Sequence, residues 1–367
     1  VMLKMSSTQL ASIFRTAEKI GWREQFQAAV VEVAVRYPSY VDLISSLSRV
    51  PPARDTLTIV LDSLPEKIQK VSGEDFVRLL TALESSGHAR SQIPSLLRTA
   101  EALQPGQLTV ESIISALDVA AKLGGSLPLP HLLEWVYSES AQLAVLPLSQ
   151  RIVIMRAVGA LDPSKGLMAV DDLTSDPSDE PVLISALCVG MGYVARPPPE
   201  LMEVARRAAE VAPQLSGVGL AMMAKVFAKH RVVIPGLLAA LLEAAPVAEG
   251  YDDPARCLMV VYLQRLDCLQ QNKVVESLLK GVKDFHSVGL EELVLVVCAV
   301  DDSFGDLEVV HSARLAMENT LLEVCGSIRG GDCCTLATRY GVKRLDGQFI
   351  GKVLTQLARL IEPYSGG

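Results

Sequence analysis

A chain of 367 residues is longer than a single hydrophobic core usually grows, about 250 to 300 residues, so it must either divide into domains or extend by repetition. Half of its residues are hydrophobic and 21% are charged, with a mean hydropathy of +0.31, which excludes a disordered chain; no run reaches the roughly 18 apolar residues of a membrane span. A net charge of −8 excludes a protein that coats itself in nucleic acid through bulk electrostatics, and the 7 cysteines, an odd number set mostly in apolar stretches (Cys188, Cys257, Cys298), point to a reducing compartment rather than a disulfide framework.

Residues 1–21 carry no secretory pattern, and a start on Val rather than Met is compatible with a targeting segment removed ahead of it. From there the chain reads as helix after helix. Ser6, Ser39, Ser72, Thr109, Ser149, Asp179, Ser216, Asp253, Gly289 and Asp332 each stand four residues before the first of an apolar pair, at spacings of 30 to 43 residues. All but Gly289 are Ser, Thr or Asp, whose side chains accept hydrogen bonds from the unpaired amides of a helix start. Apolar residues follow in one stripe, as in Leu220, Ala221, Ala224 and Phe227 after Ser216. The clearest stretch overlays on itself in register: Ser72 falls on Thr109, Phe76 on Ile113, Val77 on Ile114, Leu80 on Leu117 and Gly87 on Gly124.

Second helices are announced by proline or a polar cap, at Pro128 and Pro130, Pro197 to Pro199, Pro235, Asn272 and Asp306, since proline in a first turn costs no internal hydrogen bond. One is expected to start at Ile93. The β-branched runs at 152–155 and 232–234 sit in helical phase, so no strand is expected. After Gly159 the segment ALDPSKGLMAVDDLTSDPSDEP predicts a short second helix or a hinge over 160–180. The final segment, 326–367, is basic, with six Lys/Arg against three Asp/Glu, and suits a C-terminal capping repeat. The predicted fold is therefore all-α, a single α-solenoid over 1–367 of about ten helical hairpins, armadillo/HEAT-like or heptatricopeptide-like.

No catalytic, cofactor or metal signature stands out. Cys333 and Cys334 are adjacent, whereas zinc ligands need spacings that let them converge. The five histidines fall in different repeats and read as loop or surface residues. Gly190, Gly192 and Ala195 spell G-x-G-x-x-A but lie late in a helix rather than after a strand, so they read as close-packing positions. Asp171, Asp172 and Asp176 are the carboxylates an enzyme hidden in the irregular unit would use, although acidic residues in such a loop more commonly solvate it. Two basic clusters are candidate RNA contacts: Arg339, Lys343 and Arg344, and Lys225, Lys229 and Arg231. Spacings of four put Lys225 with Lys229, and Arg339 with Lys343, on one helix face.

The units SGEDFVRLLTALESSG, TVESIISALDVAAKLG and SGVGLAMMAKVFAKH resemble the helical repeats of organellar RNA-metabolism proteins, the heptatricopeptide and FAST-kinase-like proteins. The Leu-Ala-Val-rich style is also similar to helical-repeat subunits of kinetoplastid RNA-editing and guide-RNA complexes. The likeness covers most of residues 6–363, but no RAP domain is visible at the C-terminal end. The resemblance implies a non-catalytic scaffold subunit in the mitochondrial matrix, bound to protein neighbours, with RNA touched locally at most and no small-molecule substrate. The alternatives it leaves open are a general armadillo/HEAT-like adaptor and a structural subunit of a mitochondrial ribosome or of its assembly machinery.

Overall fold

The computed structural model describes residues 5 and 7–316, apart from 37–39, 51–53, 64–70, 268–271, 289–294, 297–298, 301–306 and 314. The fold is all-α: every regular element among these residues is a helix. None of those helices is long and apolar enough to cross a membrane. The chain divides into two compact units, Val1–Leu201 and Met202–Gly367.

In the first unit α1 (Ser7–Lys19) and α2 (Arg23–Arg36) form a hairpin, followed by α3 (Tyr40–Leu47) and α4 (Arg54–Asp62), and by α5 (Gly73–Ser85) and α6 (Ala89–Ala102). Then come α7 (Val110–Lys122), α8 (Pro130–Ser138), the single turn α9 (Ser140–Leu143), α10 (Leu148–Leu161), α11 (Gly166–Leu173) and α12 (Glu180–Tyr193). The first helices of successive hairpins pack in series, α1 on α3, α3 on α5, α5 on α7, α7 on α10 and α10 on α12. Residues that recur in phase are what they bury: Phe76, Val77 and Leu80 in α5, and their counterparts Ile113, Ile114 and Leu117 in α7, are all buried.

The helix ends are chemically specified. Ser72 accepts from the Asp75 amide at 3.4 Å and Thr109 from the Ser112 amide at 3.2 Å. After α5 the chain turns through Gly87 at φ 77°, with the Gly87 amide on Glu84 O and the His88 amide on Leu83 O, a Schellman stop that needs the left-handed conformation glycine adopts freely. Neighbouring hairpins are also tied by polar groups. The Glu74 carboxylate takes the Thr109 amide at 2.8 Å and the Ser112 hydroxyl at 2.5 Å, and Arg78 pairs with Asp42 of the preceding hairpin.

Several expectations shift. Ser149 lies inside α10, with Pro147 at the cap position. Asp179 precedes α12 but makes no side-chain cap, because Arg151 holds its carboxylate. The helix expected from Ile93 begins at Ala89, with Pro94 inside it. The irregular stretch carries the eight-residue α11 between short 3-10 turns at Pro163–Lys165 and Pro177–Asp179. Gly159 and Gly190 face each other between α10 and α12: a Cβ on Gly190 would lie 2.1 Å from Arg156 O, and one on Gly159 2.4 Å from Leu187 O, so these backbones approach as only glycine allows.

The second unit contains α13 (Leu201–Val211), α14 (Gly217–His230), α15 (Pro235–Ala244), α16 (Asp253–Arg265) and α17 (Asn272–Lys280). Here α14 packs along α16, with Leu220, Ala221, Ala224 and Phe227 buried. Ser216 caps α14 as expected, accepting from the Gly219 amide at 3.3 Å. In α16 the cap is Asp252 rather than Asp253. Asp253 instead reaches forward and accepts from the Lys283 and Asp284 amides at 3.1 and 3.0 Å, the same kind of tie that Glu74 makes in the first unit. The run at 232–234 lies outside the helix, which ends at His230. The markers Ser6, Ser39, Gly289 and Asp332, the second-helix signal Asp306, and the whole of 326–367 fall outside the described residues.

Candidate functional site

The best-supported site lies in the second unit, where the C-terminal ends of α14 and α16 come together. Lys225 and Lys229 stand one turn apart on α14, both exposed, and Arg231 follows directly after the helix. Arg265 closes the last turn of α16. These four cations line one groove of about 930 Å³, with Asp267 as the acidic group among its described lining residues. Between them Leu258 and the buried Tyr262 and Leu266 make an apolar floor, and Val233 stands 56% exposed beside it. Cations at helix C-termini are favoured by the partial negative charge of the terminal carbonyls, which explains Lys229 and Arg265 locally. It does not explain the backbone of Arg231.

Arg231 has φ 52°, and Asp267, after α16, has φ 57°. Both turn their helix off in the left-handed region, where a Cβ is strained. At Arg231 the Schellman bonds are the same as at Gly87: its amide reaches Ala228 O and the Val232 amide reaches Phe227 O at 2.9 Å. The first unit places glycines, Gly87 and Gly124, in the left-handed conformation after its helices. In the second unit two charged residues occupy these positions, and both face the groove.

The sequence-level candidates therefore divide. Lys225, Lys229 and Arg231 are brought together and joined by Arg265, which sequence spacing missed because it belongs to the next repeat. Arg339, Lys343 and Arg344, like Cys333 and Cys334, lie outside the described residues. The acidic trio does not converge on a site: Asp171 and Asp172 are exposed on α11, and Asp176 accepts the Ser178 amide and hydroxyl, both at 2.8 Å. The amide bond, and then the hydroxyl, hold the Asp176 carboxyl below its ordinary value, so the group is committed to a turn. Among the described residues no group of three or more His, Cys, Asp and Glu is placed to hold a metal ion.

His88 departs from the expectation of a loop or surface residue. It is only 9% exposed, directly after the Schellman glycine, with its ring bridging Thr58 Oγ1 at 3.0 Å and Ser86 O at 3.1 Å, a structural role between hairpins. Cys188 is fully buried and its thiol is pushed up to about 12 by burial, which makes it a packing group rather than a nucleophile. One buried charge was not anticipated at all. Arg151, 5% exposed, donates to Leu146 O at 3.0 Å, Leu173 O at 2.8 Å and Asp179 Oδ2 at 2.9 Å, and so locks the irregular unit to α10.

Fold and groove together define an all-α protein with a locally cationic concave surface. A scan against protein-family models and a search of curated proteins gave no match to this chain.

Proposed function

We propose that the chain is a non-catalytic α-solenoid scaffold, a subunit of a mitochondrial RNA-processing or RNA-editing assembly that holds protein neighbours and meets RNA only locally. The observation that supports this reading is the serial packing of first helices, joined between hairpins by Glu74, Arg78 and Asp253. Repeated hairpins joined this way extend a surface without enclosing a reaction chamber. RNA contact is assigned to Arg339, Lys343 and Arg344, in the segment where the local charge becomes positive.

The test is purification of the tagged full chain from its own cells, with and without nuclease, together with its location. The reading expects matrix residence, a defined set of protein partners that survives nuclease, and RNA crosslinks that fall when Arg339, Lys343 and Arg344 are all changed to Glu. Recovery of the chain alone from the matrix would remove the scaffold. A cytosolic protein with nuclease-insensitive partners would instead favour the armadillo-like adaptor.

A further inference from the structure

The groove between the ends of α14 and α16 joins two kinds of surface that one ligand must satisfy together. Its rim carries Lys225, Lys229, Arg231 and Arg265, and its floor is aliphatic, with Leu258 half-buried and Val233 beside it 56% exposed. Lys225, Arg231 and Arg265 form no ion pair with any described residue.

A nucleic-acid strand would use the rim and waste the floor. Sequence-tolerant strand binding relies on exposed aromatic faces on which bases stack. The aromatic among the described lining residues, Tyr262, is 6% exposed and offers no such face. Asp267 stands on the same rim, where a continuous line of phosphates would meet it. A polypeptide differs on both counts. Its carboxylates are discrete, so they can meet the cations and leave a gap or a basic residue opposite Asp267, while aliphatic side chains between them cover the floor.

The backbone adds an independent argument. Arg231 and Asp267 both hold the left-handed conformation that Gly87 and Gly124 supply elsewhere in the chain. Glycine would be less strained at Arg231, whereas Asp267 is of a residue type that visits this conformation more readily, and strain of the kind Arg231 carries clusters where side chains serve binding.

We propose that this groove seats a segment of a protein partner in which acidic and aliphatic residues alternate, with the acidic side chains on Lys225, Lys229, Arg231 and Arg265 and the aliphatic ones over Leu258. The inference rests on the scaffold reading and names the chemistry of one partner.

The experiment places a photo-crosslinking amino acid at Val233 of the full chain, expressed in its own cells, and identifies the adducts by mass spectrometry. It is repeated in the Arg231→Gly/Arg265→Gln background. Glycine suits φ 52°, so this double variant keeps its fold, which an unchanged helical circular dichroism spectrum verifies. The expected result is peptide adducts from one segment bearing both acidic and aliphatic residues, reduced about tenfold in the double variant, as the loss of two rim charges implies. Nucleotide adducts would overturn the assignment in favour of RNA. Peptide adducts that lack acidic residues, adducts insensitive to the double variant, or no adducts while partners still co-purify would overturn it and leave the scaffold standing. Loss of all co-purifying partners from the unsubstituted chain would instead sink the scaffold reading itself.

Discussion

Replacing Arg151 with Met removes a charge that sits 5% exposed between α10 and the turn before α12. Met keeps the length of the aliphatic stem, so the change isolates the guanidinium. Three acceptors lose their donor: Leu146 O at 3.0 Å, Leu173 O at 2.8 Å and Asp179 Oδ2 at 2.9 Å. Each hydrogen bond to a charged group contributes about 1.5 to 3 kcal/mol, but the three share one side chain and do not simply add. The Asp179 side chain, 15% exposed, is then left without its counterion, and losing one member of a buried pair costs about 3 to 5 kcal/mol. That is a large part of the stability of about 5 to 15 kcal/mol expected of a folded domain. The chain has 2 tryptophans, Trp22 and Trp135, and both lie in the first unit with Arg151 and Asp179, so tryptophan fluorescence during urea unfolding reads that unit selectively. With a urea slope of about 2 to 3 kcal/mol per molar, the midpoint should fall by about 1 to 2 M. Arg151→Met combined with Asp179→Leu should recover part of the loss, because no carboxylate remains stranded. A midpoint within about 0.2 M of wild type for the single variant would refute the claim that this pair holds the irregular unit in place.

Gly190→Ala should destabilise the first unit by about 3 kcal/mol in the same unfolding assay, because its Cβ would lie 2.1 Å from Arg156 O and the backbones of α10 and α12 would have to part. Arg231→Gly should act in the opposite direction and raise stability by about 0.5 to 1 kcal/mol, measured by urea unfolding followed by circular dichroism, since glycine accepts φ 52° without strain. Glu74 accepts the Ser112 hydroxyl and the Thr109 amide, and these bonds hold its carboxyl below the ordinary value. A lowered folded-state pKa means that this contribution to stability is present above the unfolded value, about 4.3, and is lost as pH falls through the folded one. Glu74→Gln should therefore flatten the acid limb of the melting temperature against pH below about 4.3 while leaving the neutral side with no pH-dependent difference.

What the amino-acid order determines by itself is short in range. Caps, apolar stripes and glycine stops are written within about one helix length, and each acts on backbone groups only a few residues away. That is why Ser72, Thr109 and Ser216 cap where they were expected to, why Gly87 and Gly124 turn the chain through positive φ, and why the all-α class is legible without coordinates. Where a stop uses no glycine the signal disappears: nothing local marks Arg231 as left-handed, and the β-branched run at 232–234 continues the helical phase in sequence while leaving the helix in space. The tertiary structure alone decided which charges meet. Asp179 has the residue type of a cap but serves Arg151, and Asp253 serves the amides of Lys283 and Asp284 while Asp252 takes over its cap. Arg265 joins Lys225, Lys229 and Arg231 although it belongs to the next repeat. Such meetings depend on how far one hairpin is turned and shifted against its neighbour, and that is set by close contacts such as Gly159 on Leu187 and by the sum of many apolar contacts, none of which leaves a periodic trace in the sequence.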